Sequence, residues 1–192
     1  ADGKLTLASG AGTATVSTGL GAKLTIAGSS VDIGTSIRLP SGSLKVEATS
    51  GDLTIADGTL DVSGTAQHFY DVTKYTDGGN IQLVADNGDM QINAGSRVSV
   101  AATSGGGSAG SLAVSVAQGH FSIDADTLRG QAGANGQGGS FSLDTLGIGE
   151  DTSLSHLDTL GKALADGGFE RSIDVRVREG DVIADGTIRA HE

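Results

Sequence analysis

The sequence predicts an all-β chain wound as a right-handed parallel β-helix, a three-sided β-solenoid of about six rungs, with one short flanking helix near 152–166. Three observations predict it. Large apolar residues come in pairs separated by one residue, as in Leu44/Val46, Leu53/Ile55, Ile81/Leu83 and Met90/Ile92, which is the mark of a short strand burying one face. Gly is 32 of 192 residues, and Gly, Asp, Ser, Thr and Asn occupy the gaps as turn formers. Segments of three types then recur in a fixed order, and this repetition separates a solenoid from a sandwich or propeller.

Strands of the first type begin in Gly-Ser-Leu-Lys-Val-Glu-Ala at 42–48 and recur at 79–85, 110–116, 139–143 and 172–175. The second type is Gly51-Asp52-Leu53-Thr54-Ile55, with copies at 88–92, 119–123 and 180–182; Leu5-Thr6-Leu7-Ala8 and Lys23-Leu24-Thr25-Ile26-Ala27 read as further copies. The third is Gly58-Thr59-Leu60-Asp61-Val62, with copies at 28–33, 95–100, 126–128 and 186–188. The step from first to second is nine residues at 44→53, 81→90, 112→121 and 173→182. The step from second to third is six to eight residues, and that from third back to first is thirteen to twenty-one. Two tight corners and one loose corner describe a three-sided coil. Each strand would pair with its copy about 4.8 Å above and below, and parallel crossovers are right-handed by preference. A narrow interior of stacked Leu, Ile and Val leaves little room for rings, in keeping with six aromatics in the chain.

The whole of 1–192 reads as a single β-solenoid segment with insertions at the loose corner, 64–79, 101–110 and 129–139, and a helical insertion at 150–167. In the latter, Leu154, Leu157, Leu160 and Leu164 fall at helical spacing, Ser155 with Asp158 resembles a capping box, and Gly167-Gly168 ends the run. The helix is expected to lie on the solenoid flank and to replace the second strand of the rung begun by Phe141.

Two stretches, Gly-Gly-Asn-Ile-Gln-Leu-Val-Ala-Asp-Asn-Gly-Asp-Met-Gln-Ile-Asn-Ala-Gly-Ser at 78–96 and Gly-Gly-Phe-Glu-Arg-Ser-Ile-Asp-Val-Arg-Val-Arg-Glu-Gly-Asp-Val at 167–182, resemble filamentous-haemagglutinin-type exoproteins of two-partner secretion. The resemblance runs from about Leu24 to the end. It implies a right-handed β-helix, passage through an outer-membrane transporter, a secreted, extracellular or bacterial cell-surface location, and a structural or adhesive filament role. The Asn-Pro motifs of that family's amino-terminal secretion domain do not occur here, so the resemblance is to an interior stretch of a longer shaft.

Chemistry is sparse in the sequence. Zero Cys excludes disulfides and thiolate sites. A formal charge of −11 argues against nucleic acid, and no apolar run reaches the roughly 18 residues of a spanning helix. No cofactor motif or metal spacing is present, and the nearest match to a calcium-binding β-roll repeat, at 138–144, fails, with Phe141 in place of the third Gly and Leu143 in place of the Asp. Asp124 and Asp126 share a strand face, where paired carboxylates could serve acid–base work or simply be solvated. Candidate ligand contacts are His68, Phe69, Tyr70 and Tyr75 in the longest insertion, which holds three of the six aromatics and could meet a glycan or protein or cover the flank. Arg176 and Arg178 share one outward parity and could hold an anion or pair with nearby acids. The expected function is a non-enzymatic shaft segment of a surface filament, flanked at both ends by more β-solenoid. The competing expectation is a carbohydrate-active β-helix enzyme acting on polysaccharide, which would need convergent carboxylates and aromatic platforms.

Overall fold

The computed structural model describes residues 3–8, 15–149 and 154–184. Strands follow one another as β1 (Leu5–Ala8), β2 (Thr15–Ser17), β3 (Lys23–Gly28), β4 (Val31–Gly34), β5 (Ser36–Arg38), β6 (Ser43–Ala48), β7 (Leu53–Ile55) and β8 (Thr59–Asp61). Then come β9 (Ala66–Phe69), β10 (Val72–Tyr75), β11 (Asn80–Ala85), β12 (Met90–Ile92), β13 (Arg97–Ser99), β14 (Ser111–Ile123), β15 (Leu128–Arg129), β16 (Ser140–Ile148) and β17 (Leu154–His156). The chain closes with α1 (Asp158–Gly167), β18 (Ser172–Val177) and β19 (Asp181–Ile183). It is predominantly β, and outside the β9–β10 ribbon its named strands pair in parallel.

Three sets of strands stack. In the first, β3, β6, β11, β14, β16 and β18 align Leu24, Leu44, Ile81, Leu112, Phe141 and Ile173 in one inward row. In the second, β1, β4, β7, β12 and the far half of β14 align Leu5, Val31, Leu53, Met90 and Phe121. In the third, β2, β5, β8, β13 and β15 align Val16, Ile37, Leu60, Val98 and Leu128. Because β14 runs through the first two sets without a break, they form a single ten-stranded sheet. The inward rows build one core, with Val31, Leu53, Leu60, Met90, Val98 and Phe121 wholly shielded from solvent. Each such side chain contributes about 1.5–3 kcal/mol by leaving water.

The amino-terminal register differs from expectation. Lys23–Gly28 pairs with Ser43–Ala48 and is of the first type, and Val31–Ile33 pairs with Leu53–Ile55 and is of the second. The third position is filled by Ser36–Arg38. The physical reason is that the Leu24→Val31 step of seven residues matches the tight corner expected elsewhere, so spacing alone mislabels it. With Ile37 in the third position, the return to Leu44 takes seven residues, so this corner carries no insertion there.

The carboxyl-terminal end departs more. The second position after Phe141 is not a helix: β16 continues through Gly147 and Ile148, opposite His120 and Phe121. Leu154 lies in β17, paired with Asp181 of β19, so the second-type copy at 180–182 meets that strand. The helix starts only at Asp158, with no side-chain cap, because the Ser155 hydroxyl is buried and accepts the Ile148 N–H at 2.9 Å. Gly168 ends it in the left-handed region, φ 75°. Instead of lying on the flank, α1 sends Leu160, Ala163 and Leu164 into the core beside β15. Rings fit in this part of the core: Phe121, Phe141 and Phe169 are fully buried, the last two edge to face at 6.2 Å. Residues 150–153 of the expected helical insertion, and the third-type copy at 186–188, lie outside the described residues.

Gly clusters where corners of successive strands touch. A Cβ placed on Gly110 would lie 2.7 Å from the Gly79 carbonyl carbon and 2.9 Å from that of Gly78. Side chains cap the next corner as well: Asp52 Oδ1 accepts the Asp89 N–H at 2.9 Å, and Asp89 Oδ1 accepts the His120 N–H at 2.8 Å.

Candidate functional site

The 64–79 insertion is a β-hairpin. Its residues are good strand formers, Phe, Tyr, Val and Thr, and they pair antiparallel with Phe69 opposite Val72, His68 opposite Thr73 and Gln67 opposite Lys74. Alternation puts Gln67, Phe69, Val72 and Lys74 on one face of the ribbon, and Ala66, His68, Thr73 and Tyr75 on the other. Only Tyr70 and Asp71 connect the strands, and Tyr70 takes φ 54°. Two-residue hairpin turns favour Gly, Asn or Asp at positive φ, because a bulky Cβ is strained there.

The base of the hairpin is fastened to the core. Thr76 N–H donates to Thr65 O at 2.9 Å, and Thr65 N–H donates to Thr76 Oγ1 at 2.8 Å. The Ser41 and Thr76 hydroxyls bond at 2.6 Å, and Gly64 N–H donates to Ala101 O at 2.8 Å. Tyr75 lies across the 103–106 turn, so close that a Cβ at Gly105 would sit 2.5 Å from its ring and hydroxyl. The 101–110 segment in turn bonds to 129–139 through Gly133 N–H to Gly107 O at 2.9 Å and Ala102 N–H to Gln131 O at 2.9 Å.

Of the sequence candidates, then, Tyr75 is docked on neighbouring backbone and His68 is held by its own strand partner, Nδ1 to Thr73 Oγ1 at 2.9 Å. Phe69 and Tyr70 do not cover the flank. Phe69 is 58% exposed, Val72 45%, and Tyr70 is as exposed as a side chain can be. Val72 and Asp71 belong with them at the tip. The alternation from Gln67 to Lys74 was the available signal, masked by a turn without Gly or Asn.

Arg176 and Arg178 part company. Arg178 grips Asp144 with both guanidinium arms, Nε to Oδ1 and Nη2 to Oδ2, each 2.7 Å. That hydrogen-bonded pairing holds the Asp144 carboxyl below its ordinary range against the opposing pull of burial. Arg176 stands only 3.8 Å from the same carboxylate and is largely exposed. It borders a trough of about 380 Å³ on the outer face of the first strand set, floored by Ala113, Ser115 and Ser142 and rimmed by Gln82, Asp144 and Asp174. Arg171 donates to Ser140 Oγ at 2.8 Å, and Arg189 is outside the described residues. Asp124 accepts the Ala94 N–H at 2.7 Å and so caps the backbone of a neighbouring segment, while Asp126 takes a turn conformation, φ 62°. No family model matches the chain, and neither the curated proteins nor the solved structures contain a match to it.

Proposed function

We propose that this chain is a structural and adhesive shaft segment of a large secreted bacterial surface protein, built as a right-handed parallel β-helix and without enzymatic activity. The observation that carries the reading is the pairing rule: strands of each set pair in parallel with strands of that set, in register, from Leu24 to Ile173. Such an arrangement gains about 4.8 Å of length per rung and supports a stiff shaft with contacts delegated to corner loops. The likeness of 78–96 and 167–182 to filamentous-haemagglutinin-type exoproteins supports an extracellular filament and export through an outer-membrane transporter. Among the described residues, β3 pairs only with β6 and β18 only with β16, so each offers an outer edge to more β-solenoid, from the same polypeptide or a stacked copy.

Two measurements test this. Electron microscopy of the chain at moderate salt is expected to show rods or end-to-end assemblies; compact single particles at every concentration would overturn the shaft. Incubation with neutral and acidic polysaccharides is expected to leave them intact, and new reducing or unsaturated ends would replace the adhesive reading with an enzymatic one.

A further inference from the structure

We propose that the Tyr70-tipped hairpin docks into the sheet-face trough of a second copy of this chain. The tip and the trough are independent features, and each lacks what the other has. Tyr70 projects fully exposed, with Phe69 and Val72 about half exposed beside it, and Tyr70 keeps a strained backbone that packing does not explain. Strain retained at a fully exposed aromatic points to a contact made outside the molecule.

The trough has the complementary form. Its floor of Ala113, Ser115 and Ser142 leaves an open depression of about 380 Å³, room for a protruding side chain. No aromatic lines it. On its rim Arg176 is loosely held by Asp144, whose carboxylate Arg178 already grips, and Asp174 stands exposed. The hairpin carries the opposite pair, Asp71 at the turn and Lys74 three residues on. Asp71 meeting Arg176 and Lys74 meeting Asp174 would orient the tip while Tyr70 covers the small residues below.

The contact is heterologous, tip to trough, so it leads to lateral association of shafts unless a two-fold arrangement closes it. It does not depend on the shaft reading. Three apolar side chains and two ion pairs bury less than the roughly 1,200 Å² of a standard stable interface, so the association is weak and concentration-dependent.

Sedimentation velocity of the 192-residue chain, from about 10 μM to about 1 mM, tests the proposal. Reversible association is expected, and Tyr70→Ala is expected to weaken it at least about tenfold. Asp71→Arg and Arg176→Glu should each weaken it, and the two together should restore it, an outcome that a folding defect cannot produce. Circular dichroism of each variant checks the fold. A chain monomeric throughout the range overturns the proposal, as does failure of the charge exchange to rescue. Association that persists in Tyr70→Ala belongs to the strand edges: it overturns tip-in-trough docking and leaves the shaft reading standing. A Tyr70 variant that loses binding only to a saccharide or an unrelated protein also overturns it.

Discussion

Replacing Gly110 by Ala tests the close stacking of corners more directly than any core truncation. The new Cβ would lie 2.7 Å from the Gly79 carbonyl carbon and 2.9 Å from that of Gly78, against the 3.4 Å or more of an ordinary contact, and it would press hardest on the Gly79 oxygen. These neighbours are backbone, so no side chain can swing aside. Relief requires the Gly110 corner to move away from Gly79, which stretches Ser111 N–H to Gly79 O at 3.2 Å and disturbs Gly110 N–H to Val100 O at 2.7 Å and Ser140 N–H to Gly110 O at 3.0 Å. Overpacking of this kind costs about 1–3 kcal/mol, and the loss of backbone bonding places Gly110→Ala near 3 kcal/mol or above. For a chain of this size that is about 6–12 °C in thermal midpoint. Gly19 is the control, since nothing lies within 4 Å of its added Cβ, and Gly19→Ala should change stability by less than about 1 kcal/mol. Circular dichroism melts of both variants decide the matter. If Gly110→Ala melts within a degree or two of Gly19→Ala, the corners are not in contact and the stacking argument fails.

Other substitutions probe other parts. Ile92→Asp puts a carboxylate among stacked aliphatics at a fully buried position and is expected to cost several kcal/mol, whereas Tyr75→Ala removes a ring resting on the 103–106 turn and should cost about 1 kcal/mol; equal losses in urea unfolding would show that the hairpin is part of the core. Tyr70→Asn relieves a left-handed Tyr and is expected to raise stability by about 1 kcal/mol while weakening tip-mediated association; a drop in the melting midpoint would show that the Tyr ring packs somewhere in the native state. Arg178 lowers the folded-state pKa of Asp144 below its unfolded value near 3.9, so this stabilisation is complete above that value and is lost as pH falls through the lower folded-state pKa. Comparing unfolding at pH 7 and pH 3, Asp144→Asn should therefore show a smaller acid-dependent loss than the parent chain; identical slopes would remove the pair from the pH dependence.

The strand sets were legible where the steps are long and regular. Leu44→Leu53, Ile81→Met90 and Leu112→Phe121 all lie in register as their spacing implies, because an inward pair every other residue is dictated by the two-residue period of a strand. The amino-terminal register was not legible. Tight corners of similar length separate different strand types there, and the Ile37/Leu39 pair that would have exposed the shift sits beside Pro40 and a left-handed Ser41. The helix start was lost for another reason: Leu154 and Leu157 fit a helical period, but Leu154 is committed to a parallel partner 27 residues on, which no local pattern reveals. The hairpin hid behind its turn, since Tyr70-Asp71 lacks the Gly or Asn that usually announces one. The Arg178–Asp144 grip needed the pairing of β16 with β18, a relation between residues 34 apart.

Four of the corner caps run in one direction, while a fifth, the Ala94 N–H to Asp124 Oδ2 at 2.7 Å, runs in the other. Asp52 receives Asp89, Asp89 receives His120, Asp77 receives the Ser108 N–H at 2.7 Å, and the Ser108 hydroxyl receives the Gln137 N–H at 3.2 Å. In all four the acceptor is the side chain of the earlier residue and the donor is the backbone of the later one. A polypeptide emerging amino end first would thus present the later strands at these corners with acceptors already held in place. Growth from the opposite end would leave the incoming amides waiting for side chains still in motion. At those four corners, ordering can proceed as addition of later strands onto earlier ones whose side-chain acceptors are already in place.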